Sequence, residues 1–201
     1  MAIITYYKAV SSTSDGSKGA LVTSGQIDAI LPYLTSQQRI TGITQLEKFY
    51  VQSDTTMQVF IGFTSLGLFN ATMITSTGAV EVAGDVLPAT ARFGASEILS
   101  NTASGCVIKD NPVLDLYRAG DYILVGDVVV QIDTITATGS NRTIEYLFDI
   151  PYVDLVGTKA SSTIQVSLTK DVAVPFWVEN IVAIGSPATQ TYNTVPLVIV
   201  S

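Results

Sequence analysis

The stretch ITQLEKFYVQSDTTMQVFIGF, residues 43–63, decides the class of fold. Glu47 and Lys48 lead into Phe49, Tyr50 and Val51. Ser53-Asp54-Thr55-Thr56 makes a polar break, and Val59, Phe60, Ile61 and Phe63 follow. β-Branched and aromatic side chains pack well on a pleated surface. Two such runs around a short polar break predict a hairpin, two strands joined by a tight turn. The aromatics alternate with small or polar neighbours, as a half-buried sheet requires. With its polar residues at the turn, the stretch reads as scaffold rather than as a place of chemistry.

Outward from this stretch the chain stays strand-like, punctuated by Gly, Asn, Asp and Ser. One helical segment is expected near the N terminus. Ser24 is a good N-cap, and Ile27, Ile30, Leu31 and Leu34 follow at helical spacing. Pro32 ends or bends that helix. Thr35 with Gln38 is a capping-box pattern for a second start, and Gly42 closes the segment.

After the hairpin come a strand over 66–74, a mixed stretch over 80–97 and a strand over 103–109. Residues 113–168 read as a compact unit of four or five short strands with tight turns, one of them at Thr138-Gly139-Ser140-Asn141. Strands around 175–184 and 195–200 complete the pattern. The expected fold is mainly β. Residues 1–110 and 172–201 form a β-sandwich with the short N-terminal helical segment, and residues 111–171 form an inserted small β-barrel-like subdomain.

The chain of 201 residues is 47% hydrophobic and only 13% charged, with a mean hydropathy of +0.41. An average soluble domain carries about 25% charged residues. Either a large core sits under a Ser/Thr-rich shell, or neighbouring subunits cover much of the nominal surface, since obligate interfaces are poor in charge. The net charge of −7 and the scattered basic residues speak against binding nucleic acid through phosphate contacts. An acidic surface still lets DNA pass without holding it. The start lacks a basic region followed by a long apolar run, and no stretch has the roughly 18 apolar residues of a membrane helix, so no membrane partner is expected.

The chain has no histidine, which excludes Ser-His-Asp, Cys-His and His-containing zinc sites. It has no Walker loop and no G-x-G-x-x-G. Cys106, the single cysteine, sits in an alternating strand-like context and reads as a buried thiol. No enzyme activity, catalytic residue or cofactor is expected. Asp115, Asp121, Asp127 and Asp133 recur every six residues. Carboxylates on one strand face are calcium ligands in principle, which makes these four the weak metal candidates. Asp is also favoured at turns and strand entries, where it accepts hydrogen bonds from nearby amides. Phe176-Trp177-Val178 follows a proline, so these residues cannot all face one core. Phe176 and Trp177 are candidates for core packing or for an anchor between subunits.

Several segments in order carry a resemblance. They are Ile27-x-x-Ile30-Leu31-Pro32, Arg39-Ile40-x-Gly42, Leu46 to Val51, Tyr117-Arg118-Ala119-Gly120-Asp121, Pro175-Phe176-Trp177-Val178, Tyr192-Asn193 and Val195-Pro196-Leu197-Val198. The pattern spans most of the chain. It resembles virion structural proteins of tailed bacteriophages, in particular neck components (collar, gateway or head-tail connector) of contractile-tailed phages. Where such proteins carry arginine in the opening strand, this chain has Glu47 with Lys48. The resemblance implies a non-enzymatic ring of six- or twelve-fold symmetry in the virion, assembled in the host bacterial cytoplasm. Its implied partners are other copies of itself and neighbouring neck and tail proteins (connector, tail terminator, sheath or tube), with DNA passing nearby. The strand ending in Val195, Leu197 and Ile199 is the candidate for adding to a neighbour's sheet. A capsid decoration or baseplate protein, and a calcium- or carbohydrate-binding β-module, remain the alternatives.

Overall fold

The computed structural model describes residues 2–10, 18–22, 34–64, 70–75, 92–109, 116–185 and 195–200. Among these the chain is mainly β, with two antiparallel sheets and one short helix. The helix, α1 (Ser36–Thr41), starts where the capping box places it. The Thr35 hydroxyl accepts from the Gln38 amide, and the Gln38 side chain accepts from the Thr35 amide. The helix expected from Ser24 to Leu31 lies outside the described residues.

Both strands of the opening stretch are present, as β3 (Ile43–Ser53) and β4 (Met57–Thr64). They do not pair with each other, so the predicted hairpin is corrected. β3 pairs with β1 (Ile4–Ala9) and β13 (Val174–Val182), whereas β4 pairs with β12 (Lys159–Leu168) and β14 (Val195–Val200). The turn at 53–56 carries the chain from one sheet to the other. Its backbone groups find partners elsewhere. The Asp54 amide donates to the Ile3 carbonyl, and the Ser53 carbonyl accepts from the Asp171 amide. The physical reason lies in the side chains. Phe49 and Val51 of β3 and Val59 and Ile61 of β4 share one buried cluster, meeting face to face rather than edge to edge.

The first sheet has the order β2-β1-β3-β13-β5-β6, with β2 (Lys18–Leu21) at one edge and β5 (Asn70–Thr75) and β6 (Arg92–Phe93) at the other. β13 matches β3 along nine residues, from Val174↔Val51 to Val182↔Ile43. Phe176 and Val178 add to the cluster above, and the rings of Phe49 and Phe176 lie 5.7 Å apart. Leu168 of β12 enters the same cluster, so both sheets contribute to one core.

The second sheet closes on itself. β12 pairs with β7 (Ala95–Asn101), β7 with β8 (Gly105–Lys109), and β8 with β11 (Asn141–Tyr146). β11 then pairs with β10 (Val128–Thr138), β10 with β9 (Tyr122–Val125), and β9 with β12 again. These six pairings make a small barrel, filled by Ile98, Ile108, Ile123, Val130, Ile132 and Ile144. Two of its hairpins turn on glycine. Gly126 (φ 60°) and Gly139 (φ 63°) each stand first in a two-residue loop, where the twist of the strands demands a positive φ.

Strand pairing joins residues 1–110 to residues 111–171 at two places. β7 and β8, which precede residue 111, belong to the ring of barrel pairings. The C-terminal half of β12, Thr163 to Leu168, pairs with β4 from Gly62 to Met57. β12 is thus common to the barrel and to the two-sheet core. Its edge is shared in series by β4 and β7. At the junction the Ser162 hydroxyl accepts from the Gly94 amide at 2.9 Å and donates to the Gly94 carbonyl at 3.1 Å.

Candidate interaction surface

Phe176 and Trp177 lie on opposite faces of β13, and both are fully buried in the chain. Phe176 fills the core between the sheets. Trp177 stands opposite Lys48 on β3, with the Lys48 ammonium 5.3 Å from the indole ring, and Lys48 itself is only 2% exposed. Neither aromatic offers surface to a neighbour, so the anchor reading is corrected for both: they are internal packing. Where Phe176, Trp177 and Val178 cover both faces, β13 has no outward face left for an anchor.

Val195, Leu197 and Ile199 lie on β14, which adds to the chain's own sheet beside β4 and forms its edge. The aspartates are dispersed. Asp127 is the second residue of the β9–β10 turn, and Asp133 stands at a register shift where β10 meets β11. Asp121 precedes β9 and faces Arg118 at 3.7 Å. Asp115 lies outside the described residues. Among the described residues, no three side chains of metal-ligating type come together. The three described aspartates occupy turn, bulge and strand-entry positions, where Asp is favoured.

The Cys106 thiol and the Tyr117 and Tyr146 phenols are buried. Cys106 faces the barrel interior, and burial pushes its thiol pKa up. Tyr146 beside it is raised by burial and by that thiol. Tyr117, whose hydroxyl donates to the Ala160 carbonyl at 2.9 Å, is raised first by burial. All three are held protonated at neutral pH, which suits packing. Among the described residues no helix is long and apolar enough to cross a membrane.

The feature that stands out is the loop over residues 147–158 between β11 and β12; the sequence pattern runs a strand from Ile144 on to Phe148, whereas β11 ends at Tyr146. Leu147, Phe148, Tyr152, Val153 and Val156 are each more than half exposed on this loop. The loop is nevertheless tied down. Ile150 and Leu155 turn inward onto the barrel core. Asn101 clamps the centre: its side-chain amide donates to the Val153 carbonyl at 2.7 Å, and its carbonyl oxygen accepts from the Leu155 amide at 3.0 Å. The amides of Leu147, Ile150 and Gly157 donate to the carbonyls of Gln131, Ala103 and Ile98. One signal in the sequence does mark it: FDIPYVDLV is too apolar for a solvent loop yet has no turn glycine before Gly157. Five large apolar residues, each more than half exposed within one twelve-residue loop, make a concentration of apolar surface of the kind that marks interaction sites.

Comparison with models of protein families, with curated proteins and with solved structures finds no match for the chain.

Proposed function

We propose that this chain is a non-enzymatic structural protein that works as one subunit of a closed homo-oligomeric ring, in the head-to-tail neck of a contractile-tailed phage. The finer fold reading belongs with it: a β-sandwich formed by the two sheets where they share a core, carrying the small barrel as a projecting unit. The observation that carries the assembly reading is the rigidly held apolar loop 147–158 on a chain with little charge. Exposed apolar residues concentrated in this way on an anchored loop favour a surface that another molecule covers. Among the described residues no further strand pairs with the outer edges of β2 and β14, which points the same way, because an unpaired strand edge is a template for another chain. The phage neck itself rests on the segment-order resemblance and on the acidic balance, which suits a passage that DNA crosses without being held.

A capsid decoration or baseplate position would use the same surfaces, and a reconstruction of the virion separates them. Density for this chain as a ring between head and tail supports the neck. Isolated knobs on the capsid, or a three-fold element at the tail tip, remove it.

A further inference from the structure

The apolar loop also carries charge of one sign. Glu145, Asp149 and Asp154 lie in or beside it, and no lysine or arginine occurs between Arg142 and Lys159. Two such loops facing each other across a two-fold axis would bring like charges together around a desolvated patch, which disfavours pairing. The matching surface must be apolar and basic. The first sheet offers one at its β2 edge. There β1 and β2 carry Lys8 and Lys18 and no carboxylate of their own, and the Asp54 carboxylate, which accepts from the Ile3 amide at 2.9 Å, stands at the N-terminal end of β1, away from Lys8 along the strand. Leu21 and Val10 are each more than half exposed beside them. The Lys18 ammonium is held in place by the Gln52 side chain at 2.7 Å and by the Tyr7 ring at 4.2 Å. β2 is outermost in its sheet, so its backbone edge is open among the described residues.

We propose that loop 147–156 of one copy docks on the Lys18–Leu21 edge of the next copy. This rests on the assembly reading above and deepens it by naming the two faces. Because the faces differ, the contact is head to tail, and repetition of one rotation closes a ring. The exposed apolar side chains supply the buried centre of the contact. The carboxylates and lysines at its rim set the register and exclude the self-facing arrangement.

The test traps the contact covalently. Val153→Cys and Leu21→Cys are made in separate chains, both at exposed positions that leave the core intact; buried Cys106 stays silent. The two variants are mixed at high concentration under mild oxidation. The proposal expects a disulfide-linked pair in the mixture at roughly tenfold the yield of either variant alone. A chain carrying both substitutions should give a covalent ladder. Asp149→Lys should lower the yield, and Lys18→Glu on the partner chain should restore it. Cross-linking of Val153→Cys chains with one another overturns the head-to-tail geometry. So does a yield that ignores both charge reversals. If the native chain sediments as an oligomer while the mixture gives no disulfide pair, the two faces are wrong and the assembly reading stands. If the chain sediments only as a monomer and nothing cross-links, the docking proposal falls, and the virion reconstruction decides the assembly reading by itself.

Discussion

Trp177 and Phe176 are neighbours in sequence and cover opposite faces of one strand, so truncating either opens a cavity in a different place. Phe176→Ala removes a ring from the inter-sheet cluster. Trp177→Ala removes the surface against which the buried Lys48 lies, leaving that cation with poorer company. Each should lower stability by about 3–5 kcal/mol, the range for large aromatics in cores, read from urea unfolding curves. If either variant kept wild-type stability and lost only assembly, the internal role would be wrong. Gly105 is constrained differently. A Cβ there would collide with the Ile144 carbonyl oxygen on the paired strand β11. Because the obstacle is backbone, Gly105→Ala should destabilise by about 1–3 kcal/mol through a forced shift of the β8–β11 pairing. A change within a few tenths of a kilocalorie would mean the two strands part freely.

Among the elements, β12 joins the two halves of the molecule. Its first residues close the barrel and its last residues line the core between the sheets. The Ser162 hydroxyl bonds both the amide and the carbonyl of Gly94, where β7 takes over from β4 along the strand's edge. Ser162 is fully buried, so Ser162→Ala leaves the Gly94 amide without its acceptor in a place water does not reach. The loss should be about 1–3 kcal/mol. Amide hydrogen exchange should show it first at β7 and β12; protection unchanged there would assign the junction's strength to other contacts. The 147–158 loop belongs to the same scale. Asn101 holds the centre of its backbone through two bonds, and backbone bonds to Gln131, Ala103 and Ile98 hold the rest. The loop's exposed residues are therefore presented by the barrel wall rather than by the loop's own sequence.

For the molecule as a whole, the buried phenols predict how stability responds to pH. Tyr117 and Tyr146 have folded pKa values raised by burial, above the value of about 10 expected for an unfolded chain. Below that pH both states hold the phenolic protons, and the groups contribute no pH dependence. Above it the unfolded chain loses protons that the folded chain keeps, so stability falls as pH rises. The slope should approach about 1.4 kcal/mol per pH unit for each tyrosine. The Cys106 thiol, also raised by burial, adds in the same direction and begins earlier. Urea midpoints should therefore be flat through neutral pH and drop in alkali. Replacing Tyr117 with Phe should make the drop shallower, at the cost of the bond to Ala160. A midpoint that stays level to strong alkali would show that the phenols reach solvent.

Local rules make several parts of this protein legible in its sequence. The capping box at Thr35 and Gln38, the tight turn at Gly139, and the β character of residues 43–53, 57–64 and 122–135 all follow from constraints acting within a few residues. A side-chain acceptor meets a nearby amide, glycine allows a positive φ, and β-branched residues favour extended backbone. The turn and strand positions of Asp121, Asp127 and Asp133 are legible for the same reason. Strand pairing is not. Alternation along β3 and β4 tells which face each side chain takes, but the hydrogen bonds that join strands are made by backbone groups that every residue shares. Face-to-face packing of Phe49 and Val51 with Val59 and Ile61 therefore looks, in one dimension, the same as a hairpin. The closure of β9 onto β12, the inclusion of β7 and β8 in the barrel, and the burial of Trp177 were decided only in three dimensions. So was the exposure of Phe148, Tyr152 and Val153. Whether an apolar residue is covered depends on which distant segment lies over it, and that is a property of the packed molecule.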